Sequence, residues 1–305
     1  MDIDIAVVGS LNFDLTIVAP RLPEPGETVL GTHHFSDNGG KGANQAVAAA
    51  RLGAGVAMFG LVGNDEHGAS LVDGLNREGI DTSGLGVEND RPTGLAVITV
   101  DDQAENTIVV SPGANSNLTP KYIAAHRESI ATAKVLLAQL EVPIMAIASA
   151  MEACEGIVCL NPAPAQHLAA DLLERVDVLI PNRIELASLA GVPEPTNPDE
   201  TLEAVSRLPT AGPVVVTLGS EGALVVENET PTFVAAHMVQ ALDPTGAGDA
   251  FCGALAHALS LGQSLTESTR WAVAAGAIAT TRQGAQASMP TAEEVEALLE
   301  ARLSS

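Results

Sequence analysis

A run of small residues with a single carboxylate stands at the predicted start of a helix, in the sequence LDPTGAGDAF of residues 242–251. A β-like stretch precedes this run, and a helical pattern follows it as far as Leu261. Unpaired N–H groups and the positive end of the helix dipole create an anion site at such a start, where glycines let a phosphate approach the backbone. Asp249 then has two interpretations: a capping or dipole partner of the helix, or a general base directed at the group that the N–H groups hold.

A second glycine-rich run, GGKGAN over residues 39–44, contains Lys41, one of only three lysines in the chain. Asn44 and Gln45 add two amides at the start of another predicted helix. The run lacks the GxxxxGK[ST] spacing of a Walker-type ATPase and GAGD lacks the GxGxxG spacing of a dinucleotide fold, so both classes are disfavoured. The run is either an ordinary turn with a solvated lysine or a ligand contact, and we favour the contact because the glycines expose Lys41 to a ligand.

Polar side chains also follow several predicted strands at their carboxyl ends. Asn12 and Asp14 follow the first strand, Glu141 follows a strand that ends at residue 140, and Asn182 and Glu185 follow one that ends at residue 180. In an open parallel sheet these strand ends border the ligand crevice. Each residue has a plain interpretation as a turn or cap residue. Together they favour a site for a polyol, whose hydroxyls both donate and accept hydrogen bonds.

The elements that must position these residues follow an α/β rhythm, because short β-branched runs alternate with longer helical patterns. This rhythm predicts a parallel sheet with helices on both faces. The predicted strands are 5–8, 56–62, 134–140, 157–160, 176–180 and 213–218, and the clearest predicted helices are 41–52 and 66–78.

Residues 15–37 and 92–111 break this rhythm, since they have β-like runs and turn residues but no helical period. Residues 95–100 and 106–110 flank a polar turn and predict a hairpin. The two segments therefore predict a small accessory sheet. Such a sheet could be a lid that excludes water from a reaction at the edge of the main sheet, or an ordinary β-excursion.

Composition narrows the class of protein. The chain has 38 acidic and 14 basic side chains, a formal charge of −24, which repels a phosphate backbone and argues against nucleic acid as a partner. Its 305 residues suggest one large or two small domains, and its apolar fraction of 46% is typical of a globular core.

The cysteines and the apolar runs indicate where in the cell the protein is found. The three cysteines, Cys154, Cys159 and Cys252, form no CxxC pair and are too few for a disulfide framework. The first residues, MDID, lack a basic n-region, and the apolar run 271–281 is far shorter than the roughly 20 residues of a membrane span. We therefore expect a soluble, cytoplasmic protein with no membrane partner.

Taken together, these motifs resemble the ribokinase family of carbohydrate kinases, also called the phosphofructokinase B type, over nearly the whole chain. The resemblance rests on nine runs, which are 9–14 (GSLNFD), 39–45 (GGKGANQ), 112–115 (PGAN), 139–141 (QLE), 161–164 (NPAP), 181–182 (PN), 217–219 (TLG), 246–249 (GAGD) and 284–286 (GAQ). It implies a single α/β domain over residues 1–305, with a central, mostly parallel sheet flanked by helices. It also implies a small β-sheet lid from about 15–37 and 92–111, through which members of the family often dimerise.

The resemblance further implies that the γ-phosphoryl group of ATP is transferred to the 5-hydroxyl of D-ribose. Asp249 would be the base, and the backbone N–H groups of Gly246, Ala247 and Gly248 would form an anion hole. The positions that match the family's sugar-binding residues are Asn12, Asp14, Gly40, Lys41, Asn44 and Glu141.

On the nucleotide side, the matching positions are Asn182, Thr217, Gly219 and Gly222, and Glu185 completes an NxxE pattern that the family associates with Mg²⁺ and phosphate. The resemblance also implies activation by a monovalent cation such as K⁺. The matching positions, several of them through backbone carbonyls, are Asp243, Thr245, Ala279, Arg282, Gly284 and Ser288. Pro244 stands where the family commonly has threonine, and its ring restrains Asp243 at this site.

Two alternatives stay open. A kinase for another sugar or a nucleoside would share GAGD and differ in the residues around the sugar. A sugar-binding or regulatory protein could keep the fold without turnover, although the intact Gly246, Gly248 and Asp249 argue against it.

Overall fold

The predicted alternation of strands and helices is present in the structure, a computed structural model that describes residues 3–103, 105–210 and 212–303. The strands of the described residues are β1 (Ile5–Val8), β2 (Asn12–Val18), β3 (His33–Gly39), β4 (Val56–Gly63), β5 (Asp81–Glu88), β6 (Gly94–Val100), β7 (Asn106–Ser111), β8 (Val135–Ala138), β9 (Ile157–Leu160), β10 (Val178–Leu179), β11 (Val214–Thr217), β12 (Gly222–Glu227) and β13 (Thr230–Ala235). The α-helices are α1 (Lys41–Arg51), α2 (Glu66–Arg77), α3 (Pro120–Ala125), α4 (Arg127–Ala131), α5 (Ile144–Ala153), α6 (Ala170–Leu173), α7 (Arg183–Ala190), α8 (Pro198–Ser206), α9 (Ala247–Ser260), α10 (Leu265–Ala279) and α11 (Ala292–Leu303).

The larger sheet has nine strands among the described residues, in the order β13-β12-β11-β10-β9-β8-β1-β4-β5. Every pair from β11 to β5 is parallel, whereas β12 and β13 are antiparallel additions at one edge. The predicted mostly parallel α/β sheet is therefore confirmed.

Two apolar layers cover this sheet, and β1 shows why. Its four residues are fully buried, so both faces of the strand need a partner. Ile5 and Val7 belong to a core shared with α1, α9 and α10, while Ala6 and Val8 belong to a second core shared with α5, α7 and α8. The first layer brings the N-termini of α1 and α9 to the same side of the sheet.

The second sheet has the order β3-β2-β6-β7 and comes from the two segments that lacked a helical period. β2 pairs antiparallel with β3 but parallel with β6, and β6 and β7 form the predicted hairpin. Ala104, in the predicted turn of the hairpin, lies outside the described residues. The strands extend beyond the predicted bounds of 15–37, because Asn12 and Asp14 pair in register with Gly39 and Asp37. Asn12 and Asp14 thus lie within β2 and not in a loop after β1.

Some strands of the large sheet are shorter than predicted. The run 134–140 becomes Val135–Ala138 and the run 176–180 becomes Val178–Leu179. The chain leaves the ladder at these ends to make other bonds; for example, the N–H of Leu140 donates to the carbonyl of Ala163 at 2.8 Å. No helix in the described part of the chain has the length and apolar character needed to cross a membrane.

Candidate active site

The N-terminus of α9 is shaped by Gly246, which caps the helix in the left-handed region with φ 77°. This conformation favours glycine, and a Cβ added there would stand 3.0 Å from the Cα of Ala285. The N–H of Ala247 donates to the carbonyl of Pro244 at 3.2 Å, whereas the N–H of Gly248 has no acceptor among the described residues. The tight turn at the start of α9 therefore leaves the N–H of Gly248 available, and the anion hole stays a prediction.

Asp249 lies in the first turn of α9 and is 7% exposed. Asn44 Nδ2 donates to its Oδ2 at 2.9 Å, and Gln45 Nε2 donates to its Oδ1 at 3.0 Å. Both donors lie on α1, so the packing of α1 against α9 places the carboxylate. The side chain of Asp249 makes no capping bond for its helix. This geometry favours the general-base interpretation over the capping interpretation.

Lys41 is the first residue of α1 and follows Gly40, whose φ is 89°. The charge of Asp249 raises the pKa of Lys41 more than burial lowers it, with further support from Glu141 and Glu185. The ammonium group therefore stays protonated. It offsets part of the negative charge of Asp249, Glu141 and Glu185.

Asp14 faces this cluster from β2. Burial, reinforced by the charges of Glu141, Asp37 and Asp249, raises the pKa of Asp14 to about 7. Gly39 makes room for this carboxylate, because a Cβ there would stand 2.0 Å from Asp14 Oδ2. Asp14 Oδ1 is buried without a hydrogen-bond partner, so the site contains a polar atom ready for a ligand's hydroxyl.

Glu141 is held by groups from two neighbouring segments. Its Oε2 accepts hydrogen bonds from the hydroxyl of Ser10 at 2.5 Å and from the backbone N–H of Lys41 at 3.2 Å. Asn12 Nδ2 approaches the same oxygen at 3.5 Å. The structure thus brings Asp249 close to the predicted sugar-binding residues Asn12, Asp14, Gly40, Lys41, Asn44 and Glu141.

A cavity of about 450 Å³ adjoins the N-terminus of α9. Three predicted nucleotide residues, Thr217, Gly219 and Gly222, line it together with Ala247 and Gly248. Apolar residues that carry no sequence motif complete the wall, namely Met238, Phe251 and Val273. They come from the segment after β13 and from α9 and α10, so only the fold could identify them.

Asn182 and Glu185 form a capping box at the start of α7. Glu185 N donates to Asn182 Oδ1 and Asn182 N donates to Glu185 Oε2, both at 2.8 Å. A backbone bridge joins Asn182 to Thr217 and thereby to the cavity, although neither residue of the box lines it. Burial raises the pKa of Glu185, opposed by Asn182 and Lys41. The NxxE pattern therefore has a structural role besides any role in binding.

The predicted cation-site residues lie in two segments that Asp243 joins. Its Oδ1 accepts from the N–H of Thr245 and its Oδ2 from the N–H of Gly284, both at 2.9 Å. Burial opposes ionisation, but these bonds keep the pKa of Asp243 below its usual value. The loop before α9 is thereby tied to the segment that ends at Ser288.

The side chain of Arg282 turns away from these segments and pairs with Glu294, so only its backbone could contribute to a cation site. Ser288 is fully buried, and its hydroxyl donates to the carbonyl of Ala285 at 2.7 Å. The carbonyl of Ala279 accepts a 3.3 Å bond from the N–H of Arg282. A set of carbonyls with one carboxylate and one hydroxyl suits a hard monovalent cation, and the residues present fit one.

Several residues of the site were absent from the predicted set. Gln45 contacts Asp249, Ser10 contacts Glu141, and Asn115 donates to Asn12 Oδ1 at 2.8 Å. All three fall inside the quoted runs GGKGANQ, GSLNFD and PGAN. Their side-chain partners are more than 100 residues away in the chain, so the runs could flag them but could not give their roles.

Comparisons with known proteins agree with this arrangement. A family model described as pfkB family carbohydrate kinase matches residues 2–292. A ribokinase from Haemophilus influenzae is 40% identical over 301 residues, which cover 97% of this chain and 98% of that protein. A deoxyribokinase from Salmonella typhimurium is 35% identical over 297 residues, covering 95% and 97%. The structure of Arabidopsis thaliana ribokinase complexed with ribose and ATP is similar with a TM-score of 0.91 and 32% identity, covering 98% of this chain and 99% of that one.

Proposed function

This chain belongs to the pfkB family of carbohydrate kinases, and from that premise we propose that it transfers the γ-phosphoryl group of ATP to the 5-hydroxyl of D-ribose. The observation that carries the proposal is the position of Asp249. Its carboxylate accepts hydrogen bonds from Asn44 and Gln45 of α1, and Ala247 and Gly248 of the same first turn of α9 line the cavity. The similarity to ribokinases over almost the full length of the chain supports the choice of ribose and ATP.

Asp249 acts as the general base in this proposal. Phosphoryl transfer requires that the acceptor hydroxyl lose its proton as it attacks, and a carboxylate within hydrogen-bond reach can take that proton. Asn44 and Gln45 hold the two carboxylate oxygens, so the base has a fixed orientation. Lys41 adds a positive charge beside it.

Sugar recognition falls to the residues of β2 and α1 together with Glu141. The unpartnered Oδ1 of Asp14 accepts a ring hydroxyl, and the amides of Asn12 and Asn44 can donate to or accept from others. Gly40 lets the start of α1 pack closely on the start of β2, because a Cβ there would stand 2.7 Å from the N atom of Asn12. The sugar is thereby oriented so that its terminal hydroxyl faces Asp249.

The nucleotide binds in the 450 Å³ cavity, with its base between Met238 and Val273 and its phosphates toward the N-terminus of α9. The N–H groups of Gly246, Ala247 and Gly248 stabilise negative charge on the transferred group, that of Ala247 by exchanging its 3.2 Å bond to Pro244 for the phosphoryl oxygen. A helix start is suited to this role, since its N–H groups are already aimed before the reaction begins.

Two metal ions belong to the proposal, as the family resemblance implies. Mg²⁺ would neutralise charge on the ATP phosphates, near Asn182 and Glu185, and K⁺ would support the loop before α9. The K⁺ site would use the carboxylate of Asp243, the hydroxyl of Ser288 and backbone groups of Thr245, Ala279, Arg282 and Gly284. Pro244 restrains that loop, so the strength of K⁺ activation in this chain is a quantity to be measured.

The small sheet acts as a lid in this proposal, and the chain is one domain that forms a homodimer through it. Asn12 and Asp14 are two residues apart in β2 and therefore lie on the same face of the strand. In this proposal that face contacts the sugar, so closing or opening of the sheet would control access to the site. The cytoplasmic location predicted from the sequence remains part of the proposal.

Deoxyribose is the second candidate acceptor. A deoxyribokinase is 35% identical to this chain over 95% of its length, which is close to the similarity with several ribokinases. The two sugars differ by one hydroxyl. A site that hydrogen-bonds this hydroxyl discriminates strongly against the analogue that lacks it, because its polar groups are then left unpaired.

A coupled assay of ADP release with Mg-ATP tests the proposal, using ribose, deoxyribose, fructose 6-phosphate and adenosine as acceptors, with and without K⁺. We expect turnover selective for ribose and stimulated by K⁺. Selective turnover of another acceptor would reassign the substrate within the family, and absence of turnover with every acceptor would contradict the proposed function.

A further inference from the structure

Three buried side-chain amides form a chain behind Asp249, on the side away from Asn44. Gln139 Nε2 donates to Gln45 Oε1 at 2.6 Å, and Gln45 Nε2 donates both to Asp249 Oδ1 at 3.0 Å and to Asn161 Oδ1 at 3.2 Å. Asn161 Nδ2 in turn donates to the carbonyl of Ile180 at 2.9 Å. Gln139 and Asn161 directly follow β8 and β9, so the chain runs along the carboxyl edge of the sheet.

The direction of every amide in this chain is fixed by its neighbours. The carbonyl of Ile180 can only accept, so Asn161 must turn its NH₂ group to it and its oxygen to Gln45. Gln45 must then present its NH₂ group, which reaches both Asn161 and Asp249. Its oxygen is left for the NH₂ group of Gln139. A reversed Gln45 would place its oxygen against the oxygens of Asn161 and Asp249, which is repulsive.

Burial of the three amides disfavours any other orientation of their side chains. Gln45 and Gln139 are fully buried and Asn161 is 8% exposed, so a misdirected amide would lose its partners without gaining water. Gln139 approaches this closely because residue 9 is glycine, where a Cβ would stand 2.1 Å from Gln139 Oε1. The amide chain is therefore closely packed as well as directional, and Gln139 Oε1, at its end, is buried without a hydrogen-bond partner.

An amide donor also suits the charge balance around Asp249. Lys41 faces the carboxylate from α1, while the carboxylates of Asp14 and Glu185 face it from β2 and α7. A second cation beside Asp249 would weaken it as a base. A neutral NH₂ group fixes the position of Oδ1 with a smaller effect on basicity than a full charge would have.

We propose that Gln45 is a positioning residue that aims the Asp249 carboxylate at the acceptor hydroxyl, and that Gln139 and Asn161 hold Gln45 in the required direction. This inference rests on the proposed function, since it gives Asp249 the role of base. Gln45 touches neither the sugar nor the nucleotide in this account and acts only through Asp249.

A double-mutant cycle tests the proposal on the full-length chain. Gln45→Met keeps the size of the side chain and removes both donors, and it is made in the wild-type and in the Asp249→Asn background. We expect kcat to fall by about 10- to 100-fold in the wild-type background, as a small misplacement of a reacting group can cause. We expect the calorimetric Kd for ribose to change by less than about threefold, and no further fall of kcat in the Asp249→Asn background.

Gln166→Met is the matched control, because Gln166 Nε2 donates to the carbonyl of Leu140 at 3.1 Å on the same sheet edge without contacting Asp249. Its kcat should stay within about twofold of wild type. Gln139→Met is a second variant, for use if Gln45→Met does not fold. It removes the hydrogen bond from Gln139 to Gln45 and so acts on Asp249 only through Gln45. It should lower kcat by a smaller factor than Gln45→Met, again without weakening ribose binding.

Wild-type kcat in folded Gln45→Met would overturn the inference, as would an equal fall of kcat in both backgrounds, which a merely structural role predicts. If Gln45→Met does not fold, wild-type kcat in Gln139→Met would overturn it. Failure of the proposed function looks different, because the wild-type chain itself would then transfer no phosphoryl group to a sugar, or Asp249→Asn would retain wild-type kcat.

Discussion

Single side chains account for the chemistry proposed here, and Asp249 is the centre of it. Two amide donors and one lysine surround its carboxylate, and the tight turn at Gly246 lies one helical turn away. We predict that Asp249→Asn lowers kcat by about 10²- to 10⁴-fold, because the amide cannot accept the hydroxyl proton. The KM for ribose should change much less, since the side chain keeps its size and its oxygen can still accept one of the two hydrogen bonds from Asn44 and Gln45.

Steady-state kinetics with ribose and Mg-ATP measure this effect. Asp73→Asn is a suitable control, because it makes the same substitution on α2 in a residue that no hydrogen bond or ion pair of the structure ties to the site. An Asp249→Asn variant with wild-type turnover would remove Asp249 from the mechanism.

We predict that sugar binding depends on pH through Asp14. Its pKa is raised to about 7 by burial and by the charges of Glu141, Asp37 and Asp249, and only its ionised form accepts hydrogen bonds with both oxygens. Ribose affinity should therefore fall as the pH decreases through 7. For a pKa near 7 the ionised fraction changes about tenfold between pH 8 and pH 6, and we expect a similar change in Kd.

Calorimetric titration of ribose at pH 6, 7 and 8 measures this dependence, and Asp14→Asn should bind ribose weakly and with little change over the range. The same raised pKa means that the folded chain binds a proton that the unfolded chain has lost between about pH 4 and 7. The contribution of Asp14 to folding stability therefore decreases as the pH rises through that window. A ribose Kd that is constant from pH 6 to pH 8 would contradict this account of Asp14.

The secondary-structure elements show how far sequence patterns reach. β1 and β9 have the predicted bounds because each is a short, fully apolar β-branched run with polar or glycine residues beside it. The lack of a helical period predicts the small sheet, but the predicted segment begins at residue 15 and leaves out Asn12 and Asp14, which belong to β2. Polar residues in β2 are stabilised by pairing with β3, which no local pattern reveals.

In the candidate site too, local sequence patterns predict some residues, while contacts between distant segments determine the others. Glu141 was flagged because it follows a strand, and the same rule applies to Gln139 and Asn161, which follow β8 and β9 even more closely. Their contacts with α1 depend on how the helix crosses the sheet edge. The apolar wall of the 450 Å³ cavity could not be predicted for a similar reason, since Met238 and Val273 carry no motif and line one cavity only in the folded chain.

Asn115 joins the two sheets and gives a prediction for stability. Its side chain is buried and bonds with the N–H and the carbonyl of Leu11, each at 3.0 Å, and with Asn12 at the start of β2. Asn115→Ala would leave both backbone groups of Leu11 without these partners. We expect the free energy of unfolding to fall by about 2–4 kcal/mol and the KM for ribose to rise through the loss of the contact with Asn12.

Urea denaturation measures the change in unfolding free energy. Asn117→Ala is the control, because the Asn117 side chain donates only to the side chain of Glu88, at 3.2 Å. This substitution should lower the free energy of unfolding by less than about 1 kcal/mol. Equal stabilities of the two variants would mean that Asn115 does not hold the small sheet to the large one.

The small sheet has an apolar edge strand that the single copy leaves exposed. Ile108, Val109 and Val110 in β7 are 55%, 71% and 44% exposed, and β7 is the edge strand of the small sheet. Exposed apolar edges are commonly covered by a partner. A formal charge of −24 makes two copies repel each other elsewhere, so contact through this uncharged strand is the favourable arrangement.

We therefore predict a dimer in light scattering after gel filtration, and a monomer for Val109→Asp. Val87→Asp is the matched control, because Val87 is 58% exposed on β5, the edge strand of the large sheet, and this variant should stay dimeric. A wild-type chain that is monomeric at micromolar concentration would contradict assembly through the lid.

The identity of the product tests whether Asp249 and the α9 N-terminus direct the γ-phosphoryl group of ATP to the 5-hydroxyl of ribose. The measurement is phosphorus and carbon NMR of ribose incubated with Mg-ATP, K⁺ and the chain, with Asp249→Asn as the blank. We predict ribose 5-phosphate, seen as coupling of phosphorus to carbon 5, together with a much slower reaction in the variant. A phosphate on another carbon, or equal product formation by the variant, would contradict the account.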